Sequence, residues 1–158
     1  MGVGIAVASD ITDDIVEAFA RLIPQLAPDS PAPTRTDLEA IVAHDACQLL
    51  IARDDDGTIL GSTTLVTFPI PTGHRAWIED VVVDDAARGR GVGEALSRRA
   101  VEMAREAGAA SVDLTSRPFR VAANQLYQKI GFVRRETNIY LQCLDGNTPV
   151  LLACYDSD

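Results

Sequence analysis

Apolar residues recur along the chain with two periods, and these predict strands and helices respectively. The predicted strands are residues 4–9, two strands within 47–70, then 75–84, 110–116 and one or two closing strands within 132–144. The predicted helices are residues 10–26, 36–45, 91–108 and 120–131. One further strand-like run, VLLACY at residues 150–155, has no place in this pattern.

Capping residues mark the ends of the predicted helices. Thr12 precedes the first apolar helical stripe and is expected to be its N-cap. Thr36, with Glu39 three residues later, gives a capping-box pattern for the second helix. Gly108 and Gly131 follow the last two helical stripes and are expected to end those helices.

The connections between these segments define the fold class. Residues 27–34 hold three prolines and predict a loop, whereas Asp56-Gly57 predicts a hairpin because both residues tolerate positive φ. The element order is β-α-α-β-β-β-α-β-α-β(β). It predicts an α/β (α+β) fold in one domain over residues 1–158, with a mixed, mostly antiparallel central sheet and helices on both faces.

The net charge of −9 argues against a general nucleic-acid partner, because no basic surface is available to neutralise phosphates. It is compatible with a cationic substrate. No apolar run approaches the roughly 20 residues that a membrane helix needs, so no membrane partner is expected. The scattered cysteines, Cys47, Cys143 and Cys154, favour a reducing cytoplasm. With only two histidines and no spaced cluster of ligands, no metal site is expected.

Residues 87–96, ARGRGVGEAL, place three glycines and two arginines between a strand and the clearest helix. A Walker loop needs Gly-Lys-Ser/Thr after the glycines, and that is missing. A dinucleotide site needs G-x-G-x-x-G, but the glycines read G-x-G-x-G; Asp113 would then serve a ribose. A third interpretation is a pyrophosphate at the helix N-terminus, with bare backbone beside it and arginines to neutralise it. A plain glycine-rich turn is the fourth.

A second motif decides among these interpretations. Arg88, Gly91 and Gly93 form R-x-x-G-x-G after an apolar strand. About thirty residues later stands AANQLYQKIGFVRRET, with the pattern A-x-x-L-Y-x-K-x-G-F. The residues of that pattern are Ala123, Leu126, Tyr127, Lys129, Gly131 and Phe132. Together the two motifs, over residues 77–135, resemble those of the GNAT superfamily of acyl-CoA-dependent N-acetyltransferases.

The resemblance implies how acetyl-CoA, the co-substrate, is held. In this family the strand before the glycine-rich turn separates from its neighbour, and its free backbone groups hold the pantetheine arm. Val81 and Val83 would supply those groups. Main-chain N–H groups of the next segment would wrap the pyrophosphate. The residues of that segment are Arg88, Gly89, Arg90, Gly91, Val92, Gly93 and Glu94.

The resemblance also implies roles in proton transfer. Tyr127 occupies the position of the family's general acid and would protonate the departing CoA thiolate. The general base is often an acidic residue, or a water held by one, in the strand that reads WIEDVVV here. Only one of Glu79 and Asp80 can face the acyl carbon, because neighbours alternate. Glu79 is favoured because it is expected to share a side with Val81 and Val83.

One position departs from the family pattern. Many members carry an asparagine seven residues before the tyrosine, where it contacts CoA, and Arg120 stands there in this chain. Asn124, one helical turn later, is the candidate replacement for that contact. Arg117 or Arg120 is a candidate to meet phosphate.

Two functional classes follow. The first is an enzyme that moves an acetyl group to a primary amine of a small molecule or peptide by direct attack. The second is a non-catalytic acyl-CoA-binding sensor or partner module, and the presence of both Tyr127 and Glu79 favours the enzyme. Many members of the family form dimers, so a homodimer is expected, with VLLACY as a candidate contact. The identity of the amine stays open.

Overall fold

The computed structural model describes residues 2–144, whose strands form a five-stranded sheet in the order β1-β2-β3-β4-β5. Neighbouring strands are antiparallel except β4 and β5, which run parallel. The strands are β1 (Gly4–Val7), β2 (Cys47–Arg53), β3 (Ile59–Ile70), β4 (Gly73–Val83) and β5 (Ser111–Asp113). The helices are α1 (Asp13–Leu26), α2 (Arg35–Ala43), α3 (Val92–Glu106) and α4 (Val121–Lys129), with a 3₁₀ turn at Asp85–Ala87. The mixed, mostly antiparallel sheet is confirmed.

Side chains of the sheet alternate between two apolar cores, one on each face. On β2, Leu49 and Ile51 pack in the core with α1 and α2. The alternate residues Leu50 and Ala52 pack in the core with α3. Each fully buried leucine or isoleucine side chain stabilises the fold by roughly 1.5–3 kcal/mol. Helices therefore cover both faces, as the sequence predicted.

The helix ends agree with the sequence at most positions. α1 begins directly after Thr12, and Gly108 and Gly131 take positive φ just beyond α3 and α4. Past α3, the Gly108 N–H donates to the Arg105 carbonyl oxygen and the Ala109 N–H to that of Ala104, as in a Schellman motif. No helix within residues 2–144 is long and apolar enough to cross a membrane.

The predicted N-cap of α2, Thr36, is wrong, because the observed N-cap is Thr34, two residues earlier. The capping box is formed by Thr34 and Asp37, not by Thr36 and Glu39. The Asp37 carboxylate accepts the Thr34 N–H at 2.8 Å, and the Thr34 hydroxyl accepts the Asp37 N–H at 3.2 Å. The earlier start places Arg35 in the first turn, where it pairs with Asp13. This contact ties the beginnings of α1 and α2 together, and it is not visible in local sequence.

The predicted hairpin between β2 and β3 is present, with a different turn. Asp54 Oδ1 accepts the N–H groups of Asp56 and Thr58 at 3.1 and 3.0 Å. Of Asp56 and Gly57, only Gly57 takes a positive φ, 83°. The side chain of Asp54 therefore organises the turn, and the expectation of positive φ at both residues was wrong.

The closing strands expected within residues 132–144 are absent from the described part of the chain. These residues contain no strand, and the apolar side chains of Val133, Ile139, Tyr140 and Leu141 are exposed. A strand needs a neighbouring strand to pair its main-chain hydrogen bonds. Within residues 2–144, β5 pairs only with β4, so residues 132–144 do not add a strand beside β5. The run VLLACY, with Cys154, lies outside the described residues.

Candidate active site

A β-bulge interrupts β4 opposite the middle of β3. The paired residues on either side of it are Ser62 with Val82 and Thr64 with Glu79. β4 therefore carries one more residue than β3 over this interval. Asp80 accommodates the extra residue with φ of 52°, a conformation uncommon outside glycine. The Thr63 hydroxyl donates a 2.9 Å hydrogen bond to the Glu79 carbonyl oxygen and so holds the bulge.

The bulge turns the main chain of Val81 and Val83 toward the open edge of β4. The Asp84 N–H donates to the Leu60 carbonyl oxygen at 2.8 Å, so Asp84 faces β3. Main-chain groups alternate along a strand, and those of Val81 and Val83 therefore face away from β3. β5 pairs with β4 only over residues 75–77, so no described strand covers these groups. This is the arrangement that the resemblance implied for the pantetheine arm.

The same bulge separates Glu79 from the two valines. Ile78, which precedes the bulge, packs in the core with α3, so its neighbour Glu79 points to the opposite face. Val81 and Val83, which follow the bulge, pack against the core with α3. The expectation that Glu79 shares a side with both valines was therefore wrong, because strict alternation does not hold across a bulge.

Two carboxylates lie at the bulge, and both reach solvent. Partial burial and, second, the negative charge of Asp80 raise the pKa of Glu79 above its usual value. A carboxylate with a raised pKa is a stronger base near neutral pH. This direction agrees with the role of general base that the resemblance implies for Glu79, which stays a prediction.

The turn between β4 and α3 presents a row of free main-chain N–H groups. Gly89 and Gly91 both have φ of 77°, a region that favours glycine, and Gly91 is the N-cap of α3. No atom lies within 4 Å of the Cβ position of either glycine, so the space beside them is open. The N–H groups that find no acceptor among the described residues are those of Gly89, Gly91, Val92, Gly93 and Glu94. Such a row at the positive end of a helix dipole suits an anion.

The two arginines of this turn differ in their partners. Arg88 pairs with Asp85 at 2.5 Å, and both side chains are exposed. Arg90 is exposed and has no carboxylate partner within residues 2–144. Arg90 therefore offers its full charge to an anion, whereas that of Arg88 is partly neutralised.

α4 lies against the first turn of α3. The Glu94 carboxylate accepts hydrogen bonds from Lys129 at 2.7 Å and Arg98 at 3.0 Å, and these bonds lower its pKa. A Cβ atom on Gly93 would meet Leu126 at 3.4 Å, an ordinary contact distance. The lysine of the second motif thus links the helix that carries Tyr127 to the glycine-rich turn.

Tyr127 is buried on α4, with 8% of its surface exposed, and its ring packs edge-on against Phe132 with centroids 5.9 Å apart. Burial raises the pKa of the phenol, and the charge of Arg120 opposes this shift. The phenol therefore stays protonated near neutral pH and is available as a donor.

Two other predicted contacts are engaged within the protein. The Asn124 amide donates to the Arg117 carbonyl oxygen at 2.9 Å, which fastens the loop before α4. Its contact with CoA stays a prediction. Asp113, the ribose ligand in the dinucleotide interpretation, pairs with Arg135 at 2.7 Å and lies near Arg75 at 3.8 Å. The negative charge of Asp113 is therefore already balanced by arginine side chains of the protein.

Sequence reasoning missed two side chains of α1 that contact the same turn. Arg21 Nε donates to Asp84 at 2.6 Å, and its Nη2 donates to the Ile59 carbonyl oxygen at 2.8 Å. Gln25 accepts the Asp85 N–H at 2.8 Å. Arg21 and Gln25 are four residues apart and therefore lie on one face of α1, opposite its apolar face. This spacing was the signal in the sequence that could have identified them.

Comparison with known proteins agrees with this geometry. The Acetyltransferase (GNAT) family profile matches residues 11–132. Glucosamine 6-phosphate N-acetyltransferase 1 of Oryza sativa subsp. japonica is 35% identical over 136 residues, which are 81% of each chain. A mycothiol acetyltransferase of Renibacterium salmoninarum is 31% identical over 112 residues, which are 68% of this chain and 33% of that protein.

Comparison of the fold with solved structures agrees with the sequence comparison. The crystal structure of an acetyltransferase from Trypanosoma brucei superposes with a TM-score of 0.72 at 26% identity, covering 90% of this chain and 100% of that one. Fold and sequence together define an acyltransferase. The chain belongs to the GNAT acetyltransferase family.

Proposed function

We propose that the protein is an N-acetyltransferase that moves an acetyl group from acetyl-CoA to a primary amine of a small molecule or peptide. One observation carries the proposal. The uncovered main chain of Val81 and Val83 leads, through the 3₁₀ turn, into the free N–H groups of residues 89 and 91–94. The first suits the amide-rich pantetheine arm and the second suits a pyrophosphate. The donor would thus lie along one continuous stretch of backbone.

The transfer is a direct attack. The amine nitrogen attacks the thioester carbonyl carbon, so that a C–N bond forms and the C–S bond breaks. Glu79, directly or through a water, takes the proton that the ammonium group loses, and Asp80 is the alternative base. The Tyr127 phenol gives its proton to the CoA thiolate, and the resulting phenolate takes the second proton that the nitrogen loses as the amide forms. The raised pKa of Glu79 favours its taking a proton, and the raised pKa of Tyr127 keeps the phenol protonated until the thiolate leaves. No metal ion enters these steps.

The relatives favour a small-molecule acceptor. Both matched enzymes are named for small molecules, glucosamine 6-phosphate in one case and mycothiol in the other. The mycothiol enzyme is much longer than the matched region, so its specificity carries less weight. A single domain over residues 1–158, a homodimer and a cytoplasmic location stay predictions.

Release of free thiol from acetyl-CoA across a panel of primary amines tests the proposal. The panel should include glucosamine 6-phosphate and other aminosugars, amino acids, polyamines and a lysine-containing peptide. Amine-dependent thiol release, with a matching acetylated product by mass, is the expected result. Acetyl-CoA binding without release on any amine would favour the sensor module instead.

A further inference from the structure

α1 contacts the beginning of the glycine-rich turn through side chains that the transfer chemistry does not use. Arg21 reaches both Asp84 and the Ile59 carbonyl oxygen, and Gln25 reaches the Asp85 N–H one helical turn further along. These bonds join three elements, α1, β3 and the end of β4. They lie immediately before the segment that presents the free N–H groups.

Asp84 is the residue on which these bonds converge. Its N–H donates to the Leu60 carbonyl oxygen, which continues the hydrogen bonds between β4 and β3. Its Oδ1 accepts the Ala86 N–H at 3.0 Å and caps the 3₁₀ turn, while its Oδ2 accepts from Arg21. The Asp84 side chain is only 14% exposed, and the hydrogen bond from Arg21 is the main reason that its pKa is lowered. The carboxylate therefore remains charged and fixes the direction in which the chain leaves β4.

We propose that Arg21, assisted by Gln25, is a positioning residue for the donor. It holds the 3₁₀ turn, through Asp84 and Asp85, at the angle that aligns the free N–H groups of residues 89 and 91–94 on a single anion. Neither side chain need touch the donor. The inference rests on the proposed function, because it assumes that this segment binds the CoA pyrophosphate.

The chain provides a matched control in Arg53. Its Nη1 donates to Asp14 at 2.6 Å and to the Gly57 carbonyl oxygen at 2.8 Å. It therefore also links α1 to the β2–β3 hairpin through one carboxylate and one carbonyl oxygen. Its side chain is 33% exposed, against 45% for Arg21. Arg53→Ala removes a similar set of bonds without touching the glycine-rich turn.

The test measures the Kd for CoA, the KM for acetyl-CoA and kcat in Arg21→Ala, Gln25→Ala and Arg53→Ala. We expect Arg21→Ala to raise Kd and KM about five- to tenfold, with kcat at saturating donor within about twofold of wild type. Gln25→Ala removes two exposed hydrogen bonds, of which only the one from the Asp85 N–H reaches the turn, and it should raise both about two- to threefold. Arg53→Ala should leave all three unchanged within about twofold.

The results that would contradict the positioning role differ from those that would contradict the proposed function. If wild-type protein binds CoA and both α1 variants bind it as tightly, the positioning role is wrong while the proposed function stands. If wild-type protein does not bind CoA at all, the proposed function is wrong and this inference falls with it. Should Arg21→Ala fail to fold, Gln25→Ala, which removes only exposed hydrogen bonds, decides the question.

Discussion

At the scale of residues, partial or complete burial moves two proton-transfer candidates in the same direction. The pKa of Glu79 and the pKa of Tyr127 are both raised, mainly because burial penalises their charged forms. For the carboxylate this strengthens a base. The phenol keeps its proton at neutral pH, and the higher pKa makes that proton harder to transfer.

Removing the phenol should reduce turnover while leaving donor binding intact. In Tyr127→Phe the ring still packs on Phe132, so we expect kcat to fall about 100-fold with little change in the KM for acetyl-CoA. Steady-state kinetics measure this. Tyr140→Phe, at an 88% exposed position, is the control and should match wild type. Near-normal turnover in Tyr127→Phe would remove the tyrosine from the mechanism.

The ionisation of the general base should determine the acid limb of the pH–rate profile, where activity falls as the pH is lowered. A base works when deprotonated, so activity falls as pH drops through its pKa, and for Glu79 this happens at a higher pH than for an ordinary glutamate. Glu79→Gln should abolish that limb in kcat/KM. Because the folded-state pKa is raised, ionisation of Glu79 lowers stability as pH rises, so the variant should not unfold more easily at neutral pH.

Asp80→Asn is the comparison for this experiment, because asparagine tolerates positive φ and should preserve the bulge. It should keep an acid limb, shifted to lower pH by the loss of a neighbouring negative charge. If Asp80→Asn loses the limb and Glu79→Gln keeps it, Asp80 is the base.

At the scale of elements, local sequence predicted what local physics determines. Alternation and helical spacing placed all the strands and helices of residues 2–131, and Gly108 and Gly131 ended their helices as expected. The contact that ties α2 to α1, between Arg35 and Asp13, joins two helices, and the bulge at Asp80 is a property of two paired strands. Neither can be read from one segment alone.

The glycine-rich turn provides the test at this scale. Gly91 takes a left-handed conformation, so we expect Gly91→Ala to lower the free energy of unfolding by about 1–2 kcal/mol, measured by urea denaturation. Gly93 is helical, and its added Cβ would make only ordinary contacts. Gly93→Ala should therefore be neutral or stabilising by up to about 1 kcal/mol. Equal losses in both variants would contradict the conformational argument.

At the scale of the whole molecule, the pairing of two distant motifs predicted more than either one alone. The glycines indicated an anion at a helix start, and the resemblance of the later helix to the GNAT motif predicted that this anion is part of an acyl-CoA. The structure joins the motifs physically, since Lys129 of α4 pairs with Glu94 of α3. The links from α1 to Asp84 and Asp85 escaped prediction because they cross about 60 residues of sequence.

The most direct test of the central claim, direct transfer from acetyl-CoA to an amine, is the initial-rate pattern of thiol release when both substrates are varied. With the best amine from the panel, double-reciprocal plots should intersect, because donor and acceptor must be bound together for direct attack. Parallel plots would indicate a covalent acetyl-enzyme, and release that does not depend on amine would indicate hydrolysis. Either result would contradict the mechanism built on Glu79 and Tyr127.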